Sequence, residues 1–268
     1  MGTIGRPDKV MPEALLDWIA RTGVAEICIV SPHLDDAAFS VGGLLLSPFG
    51  RCCRVLTVFT APAHDAETAW ARAAGFNDVQ EELSARRRED ELAMKAINVR
   101  AEHLAHTPDC WGWEQANDVH SRIAGTGVLA QAQGLVLLPA GAGGSRLRGP
   151  LGRGWSRLLR RPQGATSHPE HKQVRDLLLP LLLRSVSAVG FYAELPYIWN
   201  DRRTTLMASL AALAESPLVH RRLQPDVRRK AQLVQLYPSQ VALTLGAKQS
   251  WRDRVLAHDE DYFIVDRA

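Results

Sequence analysis

The chain has 268 residues, of which 46% are hydrophobic and 23% charged, a balance that is typical of globular proteins and excludes a disordered chain. The net charge of +3 is too small to indicate nucleic-acid binding by itself. No apolar run is long enough to cross a bilayer, and the first residues lack the apolar core of a secretory signal, so we expect a cytoplasmic protein. The four cysteines have no CxxC spacing, and we expect them to be buried as small hydrophobic residues.

The first half of the chain alternates between helical and strand patterns. A helix is predicted over 12–22, and a helical stretch ends near residue 46 between strands predicted at 25–33 and 51–62. The polar segment 63–82 is predicted to be a loop. A charged helix over 81–97 follows, and its predicted buried side carries Ala85, Leu92, Ala96 and Ile97.

The same alternation continues to the end of the chain. The predicted elements are a strand near 102–106, a helix over 117–131, a strand over 134–141, a helix over 170–183, a strand over 187–197 and a helix over 225–236. Such an order predicts a single α/β domain over residues 1–268, with three layers, a mostly parallel sheet and helices on both of its faces. Ligands bind such sheets at the carboxyl ends of the strands.

One of these strand ends carries the motif "SPHLDDA". His33 and Asp36 are three residues apart in a turn that leads into a helix, so both side chains can point to one place. A neutral imidazole and a carboxylate suit Zn²⁺, while the remaining Asp35 is free to take a proton from water. The alternative is that one of the two aspartates caps the helix and His33 lies on the surface.

The motif "SHPEH" provides a third ligand for the same centre. His168 and His171 are three residues apart, with Glu170 between them, at the start of a predicted helix. One of these histidines completes a site of two imidazoles and one carboxylate, which leaves a position open for water and substrate. Such a ligand set suits Zn²⁺, and Fe²⁺ fits it as well.

The two motifs, in this order, resemble the signatures of the LmbE-like or PIG-L family of metal-dependent de-N-acetylases. The segment "RREDELAMKAINV" is similar to the family's Arg-x-x-Glu helix at Arg88 and Glu91, and "KAQLVQLYPSQ" is similar to its C-terminal Lys…Tyr-x-Ser-Gln segment. The resemblance runs from about residue 26 to the end of the chain. It implies a Rossmann-like fold and a hydrolase that removes the N-acetyl group from an N-acetylglucosamine-type amino sugar in a glycoconjugate or natural-product intermediate.

The resemblance also implies a role for each motif residue. His33, Asp36 and His171 would bind Zn²⁺, Asp35 would be the general base and His168 would stabilise the oxyanion. The catalytic set would also include Glu170, which orients or tunes its neighbours, and Arg88 would contact the sugar. Apart from the resemblance, Glu194 and Tyr197 in "AELPY", at the end of a predicted strand, are further candidate substrate-binding residues.

The chain departs from the family pattern at three positions. Leu34 replaces the usual Pro, Ala37 replaces the usual Glu after the acid pair, and Glu170 replaces the usual Asp. None of these changes removes a ligand or the base. The lost Glu was a neighbour of the ligands, so its absence bears on metal affinity more than on reaction type.

Other interpretations stay open at this point. The Arg- and Gly-rich tract over 141–169 contains six Arg and no acidic residue, which is consistent with an active-site lid, a surface for a phosphate-bearing substrate, a membrane contact or a solvated loop. The same residues also suit an amidase for a larger N-acyl or thiol-sugar conjugate, or a non-catalytic sugar-binding module. We expect a small-molecule glycoconjugate as partner and no nucleic acid.

Overall fold

The computed structural model of the protein describes residues 14–62, 69–143 and 168–267. The strands are β1 (Glu26–Ser31), β2 (Cys53–Phe59), β3 (Arg100–His106), β4 (Gly134–Pro139), β5 (Ala188–Tyr192), β6 (Leu218–Leu223) and β7 (Glu260–Val265). They form one sheet in the order β3-β2-β1-β4-β5-β7-β6. All neighbouring strands are parallel except β7, which is antiparallel to both β5 and β6.

Helices connect most of the strands. They are α1 (Leu15–Thr22), α2 (Asp36–Leu45), α3 (Ala69–Ala74), α4 (Val79–Ala96), α5 (Trp113–Gly125), α6 (Pro169–Leu182), α7 (Arg203–Ala214), α8 (Val227–Val234), α9 (Pro238–Thr244) and α10 (Gln249–Leu256). Every residue of β4 is buried, and so is every residue of β1 after Glu26. Because successive side chains of a strand point to opposite faces, burial of both faces means that the sheet is covered on both sides. The predicted α/β fold with a mostly parallel sheet is confirmed.

Several predicted elements differ from the observed ones. The segment 63–82, predicted to be a loop, contains helix α3 and the start of α4, and the helix predicted over 117–131 is α5, which ends at Gly125. Strands β6 and β7 and helices α7, α9 and α10 were not predicted. The Arg-rich tract predicted over 141–169 lies outside the described residues, except for its two ends.

The buried side of α4 is also different from the prediction. Leu92 is 57% exposed, and the buried face carries Val79, Glu82, Leu83, Asp90, Ala93 and Met94. Asp90 accepts hydrogen bonds from the Tyr237 hydroxyl at 2.7 Å and from His103 at 2.8 Å. The hydrophobic periodicity of α4 is misleading because its inner face is partly polar and borders the candidate site.

Helix α2 is interrupted at Val41, whose backbone is not helical. Beyond the interruption, the N–H groups of Gly43 and Leu44 donate to the carboxylate of Glu260 in β7, at 2.7 and 3.3 Å. Lys230 of α8 forms a fully buried ion pair with Glu260 at 2.6 Å. A Cβ atom on Gly43 would lie 3.0 Å from Glu260 Oε1, a tight contact, so this close approach favours glycine.

The predictions about membrane-spanning segments and about the burial of the cysteines can be compared with the structure. None of the helices in the described part of the chain combines the length and hydropathy that a membrane span requires. All four cysteines are free; Cys28 and Cys53 are buried as expected, whereas Cys52 is half-buried and Cys110 is exposed.

Candidate metal centre and active site

The two sequence motifs meet at the carboxyl edge of the sheet. The turn with His33 and Asp35 directly follows β1, and helix α6, which His168 precedes, follows β4 in the chain order. Strands β1 and β4 are neighbours in the sheet, so the segments that leave them lie side by side. Pro169 occupies the first position of α6, where its missing N–H is not needed.

Three side-chain atoms converge at this edge. His33 Nδ1 lies 3.1 Å from Asp36 Oδ2, His171 Nε2 lies 3.1 Å from the same oxygen, and the two nitrogens are 3.2 Å apart. Two ligands of a tetrahedral ion with bonds of 2.0–2.1 Å are about 3.3 Å apart. The triangle of donor atoms therefore fits a small divalent cation, and these are the three residues that the resemblance implies as ligands.

Each of the two imidazoles is fixed by a carboxylate on its far side. Glu170 Oε2 lies 2.5 Å from His33 Nε2, and Glu194 Oε1 lies 3.1 Å from His171 Nδ1. With a proton held on these outer nitrogens, both neutral rings present a lone pair to the centre. Carboxylates behind metal-binding histidines have this function in many metal sites.

Charges at the centre are strongly coupled. Burial would lower the pKa of His171, but Asp36 and Glu194 raise it to about 10. The hydrogen bonds that the His33 ring donates to Asp36 and Glu170 likewise outweigh burial and raise the pKa of His33. Burial would raise the pKa of Asp36, but the two histidines hold it well below its usual value. In the absence of a metal, protons on the imidazoles therefore supply the positive charge that the buried carboxylates require.

Asp35, the predicted general base, lies beside this triangle and is 6% exposed. Arg86 donates to its Oδ1 at 3.1 Å, and the Thr244 hydroxyl donates to its Oδ2 at 3.3 Å. Burial raises the pKa of Asp35, the Arg86 guanidinium opposes this rise and the adjacent Asp36 adds to it. A carboxylate with a raised pKa, held in a fixed orientation, is suited to accepting a proton near neutral pH.

His168 stands at the same centre. Its ring lies 4.9 Å from that of His33 and stacks on that of His171 at 5.2 Å. One nitrogen from each of His33, His168 and His171 can be chosen so that all three lie within 4.8 Å of one another, so His168 could replace Asp36 as a metal ligand. The shorter distances in the triangle of His33, Asp36 and His171 favour Asp36. Burial and the charges of His33 and His171 lower the pKa of His168 to about 4, so its imidazole is neutral at pH 7.

The arginine at the site is Arg86 and not Arg88, which the sequence resemblance had implied. Arg88 is exposed on α4, whereas Arg86 lines the cavity beside Asp35. Residues two apart on a helix point in directions that differ by roughly 200°, so only one of them can face the centre. Glu91, which was paired with Arg88 in the resemblance, is exposed as well, and Glu89 instead binds Ser239.

Glu194 also differs from its predicted role as a substrate contact. Its carboxylate is fully buried and accepts hydrogen bonds from the N–H groups of Gly141 and Ala142, at 2.7 and 3.0 Å, in addition to its contact with His171. Glu194 therefore positions His171 and does not line the cavity described below.

A cavity of about 280 Å³ opens over the centre. It contains Tyr197, whose ring packs edge-on against that of His171 at 5.6 Å, so the placement of Tyr197 is consistent with its predicted contact with substrate. Sequence reasoning missed Arg86, Gln240 and Thr244. The apolar part of the lining consists of Phe59, Ala61, Val79, Leu83 and Pro108.

Comparisons with known proteins support the fold. No protein-family model and no curated sequence matches the chain. A triple mutant of the deacetylase Orf2 from the teicoplanin biosynthetic pathway is 21% identical, covers 91% of this chain and 98% of its own, and has a TM-score of 0.66. The zinc-inhibited form of teicoplanin deacetylase Orf2 gives 19% identity over the same shares, with a TM-score of 0.63.

Two further solved structures are more distant. N,N'-diacetylchitobiose deacetylase from Pyrococcus horikoshii is 14% identical, with 90% of this chain and 84% of that chain covered and a TM-score of 0.51. GalB, the 4-carboxy-2-hydroxymuconate hydratase from Pseudomonas putida, is 13% identical, with 91% and 97% covered and a TM-score of 0.51. Because this fold also carries a hydratase, the reaction must be argued from the site. The chain has the fold of the teicoplanin and diacetylchitobiose deacetylases.

Proposed function

We propose that the protein is a metal-dependent N-deacetylase of the LmbE-like or PIG-L family, acting on an N-acetylated amino sugar in a small-molecule glycoconjugate. The observation that carries this proposal is the triangle of His33, Asp36 and His171 with the carboxylate of Asp35 beside it. The solved structures with this fold include a teicoplanin deacetylase and a diacetylchitobiose deacetylase, which supports the reaction class.

His33 Nδ1, His171 Nε2 and Asp36 Oδ2 would hold the metal ion, for which we propose Zn²⁺, with Fe²⁺ as the alternative. Such an ion, when bound, polarises the amide carbonyl and lowers the pKa of water. Glu170 and Glu194 keep the two imidazoles in the tautomer that binds metal.

Asp35 takes the proton of the attacking water and passes a proton to the departing amine. Arg86 and Thr244 hold its two oxygens, so the carboxylate does not need to reorient during attack. General-base catalysis of this kind contributes roughly 10²- to 10⁴-fold to the rate.

His168 donates a hydrogen bond to the oxygen that becomes negative as the carbonyl is attacked. Its lowered pKa keeps the ring neutral, so it binds the developing charge as an N–H donor and not as a cation. A preorganised donor of this kind is worth about 3 kcal/mol in the transition state.

The size of the cavity favours a substrate that inserts one sugar. A volume of about 280 Å³ is just below the range of typical small-molecule pockets, roughly 300–1,000 Å³, so the rest of a glycoconjugate would remain outside it. An amidase that removes a larger acyl group is the second candidate, because the five apolar lining residues provide a surface for a longer chain.

Amine release from N-acetylglucosamine conjugates, assayed with the protein loaded separately with Zn²⁺ and Fe²⁺, tests the proposal. N-butanoyl and N-hexanoyl analogues in the same assay separate the deacetylase from the larger amidase. Asp35→Asn should retain metal and lose at least about 100-fold in kcat, since its amide cannot accept a proton.

His171→Ala is the companion variant and should lower the metal content. Wild-type turnover in Asp35→Asn would exclude Asp35 as the base, and unchanged metal stoichiometry in His171→Ala would exclude His171 as a ligand. Absence of amine release from every amide with either metal would overturn the proposed reaction.

A further inference from the structure

The proposed base, Asp35, is held by side chains from two different helices. Arg86 of α4 donates to one of its oxygens at 3.1 Å, and the Thr244 hydroxyl of α9 donates to the other at 3.3 Å. The orientation of the carboxylate therefore depends on how α4 and α9 are placed relative to each other. The side chains that join these two helices consequently have a bearing on the position of the base.

Helix α9 does not hold this position by itself. It has only seven residues, and a helix this short is not stable alone in water, so contacts with other parts of the protein must fix it. Its N-cap residue, Tyr237, makes no capping hydrogen bond with its side chain. The N–H groups in the first turn of α9 therefore require an acceptor from outside the helix.

Glu89 of α4 supplies this acceptor. Its Oε1 accepts from the backbone N–H of Ser239 at 3.1 Å, and its Oε2 accepts from the Ser239 hydroxyl at 2.6 Å. A carboxylate at the first turn of a helix also interacts favourably with the helix dipole. Glu89 lies three residues after Arg86, so the two side chains share one face of α4. The face of α4 that reaches Asp35 is therefore also the face that binds the start of α9.

A second contact lies beside the first. The next residue of α4, Asp90, is buried, and its Oδ1 accepts from the Tyr237 hydroxyl at 2.7 Å. The Tyr237 ring packs edge-on against that of Phe39 in α2, with 5.7 Å between the ring centroids. The backbone N–H of Phe39 donates to the backbone oxygen of Asp35 at 3.0 Å. The start of α9 is thus joined both to α4 and to the helix that follows the base.

We propose that Glu89 is a positioning residue: it ties the start of α9 to α4, so that Thr244 and Arg86 meet the two oxygens of the same carboxylate. The inference rests on the proposed function, because it takes Asp35 as the base. Ser239 and Thr244 are both in α9, about 7.5 Å apart along its axis, so a shift at the start of the helix is carried to the Thr244 hydroxyl. A misplacement of about 1 Å can cost about 100-fold in rate.

Glu89→Ala tests the inference, with Glu91→Ala as the control at an exposed position of the same helix. Both changes remove one carboxylate and introduce alanine, the best helix former. In metal-loaded protein, Glu89→Ala should lower kcat for N-acetylglucosamine conjugates by roughly 10- to 100-fold at unchanged KM and metal content, since the base acts in the transition state. Glu91→Ala should behave like the wild type.

Two companion variants separate positioning from a general loss of stability. Glu89→Gln should restore most of kcat, because its amide oxygen can accept from the Ser239 N–H and its NH₂ group can donate to the Ser239 hydroxyl. Thr244→Val should lower kcat as Glu89→Ala does, and the double variant should lose little more than either single variant, because both changes act through one contact.

Ser239→Ala provides a milder variant in case Glu89→Ala does not fold. It removes the shorter of the two hydrogen bonds to Glu89 and keeps the other, so kcat should fall several-fold, with the same coupling to Thr244→Val. Methyl NMR of metal-free protein with isotope-labelled threonine provides a readout without turnover. The Thr244 resonance, identified by its absence in Thr244→Val, should shift in Glu89→Ala and in Ser239→Ala and stay in place in Glu91→Ala.

The outcomes distinguish this inference from the proposed function. Wild-type kcat in Glu89→Ala, under conditions in which Asp35→Asn is inactive, would overturn the inference while the deacetylase stands. Losses in kcat that multiply in the double variant would overturn it as well, since they would show that Glu89 does not act through Thr244. A shifted Thr244 resonance without amine release from any substrate would support the coupling of Glu89 to Thr244 and reject the reaction.

Discussion

Glu194→Gln gives the most informative test of how the centre is held together. The carboxylate accepts from three donors, the N–H groups of Gly141 and Ala142 and the outer nitrogen of His171. The amide of glutamine has one acceptor oxygen, so at least one of these donors then faces an NH₂ group. A hydrogen bond to a charged group is worth about 1.5–3 kcal/mol, and the stranded donor adds to the loss.

The expected cost of Glu194→Gln is about 2–4 kcal/mol in the free energy of unfolding. An unfolding entropy of about 2.1 cal/mol/K per residue over 268 residues gives about 0.56 kcal/mol/K, so Tm should fall by roughly 4–7 °C. Glu194 Oε1 is the acceptor for both Gly141 and His171, and a neutral amide oxygen in its place is a weaker partner for the His171 ring, so metal binding should also weaken, by up to about 10- to 100-fold.

Calorimetry of the metal-free protein gives Tm, and competition with a chromophoric chelator gives the metal affinity. Glu114→Gln, at an exposed position on α5, is the control for the charge change. A Tm within about 1 °C of wild type together with unchanged metal affinity would refute the role of Glu194 as the residue that positions His171.

Three further predictions concern charge. In metal-free protein the pKa of His171 is about 10, above its usual 6.5. The protonated ring therefore contributes fully to the free energy of unfolding below about pH 6.5, and this contribution should be lost as the pH rises through 10. Equal stability against urea at pH 7 and at pH 10 would contradict this prediction. Arg86→Ala should raise the pKa of Asp35 further and move the acidic limb of the pH–rate profile to higher pH. Arg88→Ala should leave that limb in place. Identical profiles for the two variants would contradict the role of Arg86 as the partner of Asp35. Lys230→Met removes the positive charge next to the buried carboxylate of Glu260 and should lower the free energy of unfolding by about 3–5 kcal/mol. A change below about 1 kcal/mol in a denaturant titration would be inconsistent with the ion pair.

The buried strands could be predicted from the sequence because their apolar runs are continuous. The segments predicted at 25–33 and 134–141 contain β1 and β4, whose side chains are buried on both faces. Strand β6 was missed because "LVHRRL" has only its two ends buried, and its charged residues give no strand signal. β6 lies at the edge of the sheet, where its middle residues are only partly buried. The residues of the strand itself do not indicate this position, so the pattern did not predict a strand.

The candidate site was partly predictable for a related reason. Candidate ligands within three residues of each other, such as His33 and Asp36, are brought together by the local backbone, so their spacing in the sequence indicates a shared site. The choice between Arg86 and Arg88 depends on which face of α4 meets α9, a contact between segments about 150 residues apart. Glu194 was predicted as part of the site but in the wrong role, since depth below the cavity is a property of packing.

The hydrogen bonds between α2 and Glu260 of β7 have a consequence for the order in which the chain can fold. The helix that supplies Asp36 depends on Glu260 to satisfy its interrupted backbone, and Glu260 leaves the ribosome more than 200 residues after that helix. A chain that lacks β7 therefore has an incomplete support for the helix that carries Asp36. The candidate site should become complete only once β7 has entered the sheet between β5 and β6.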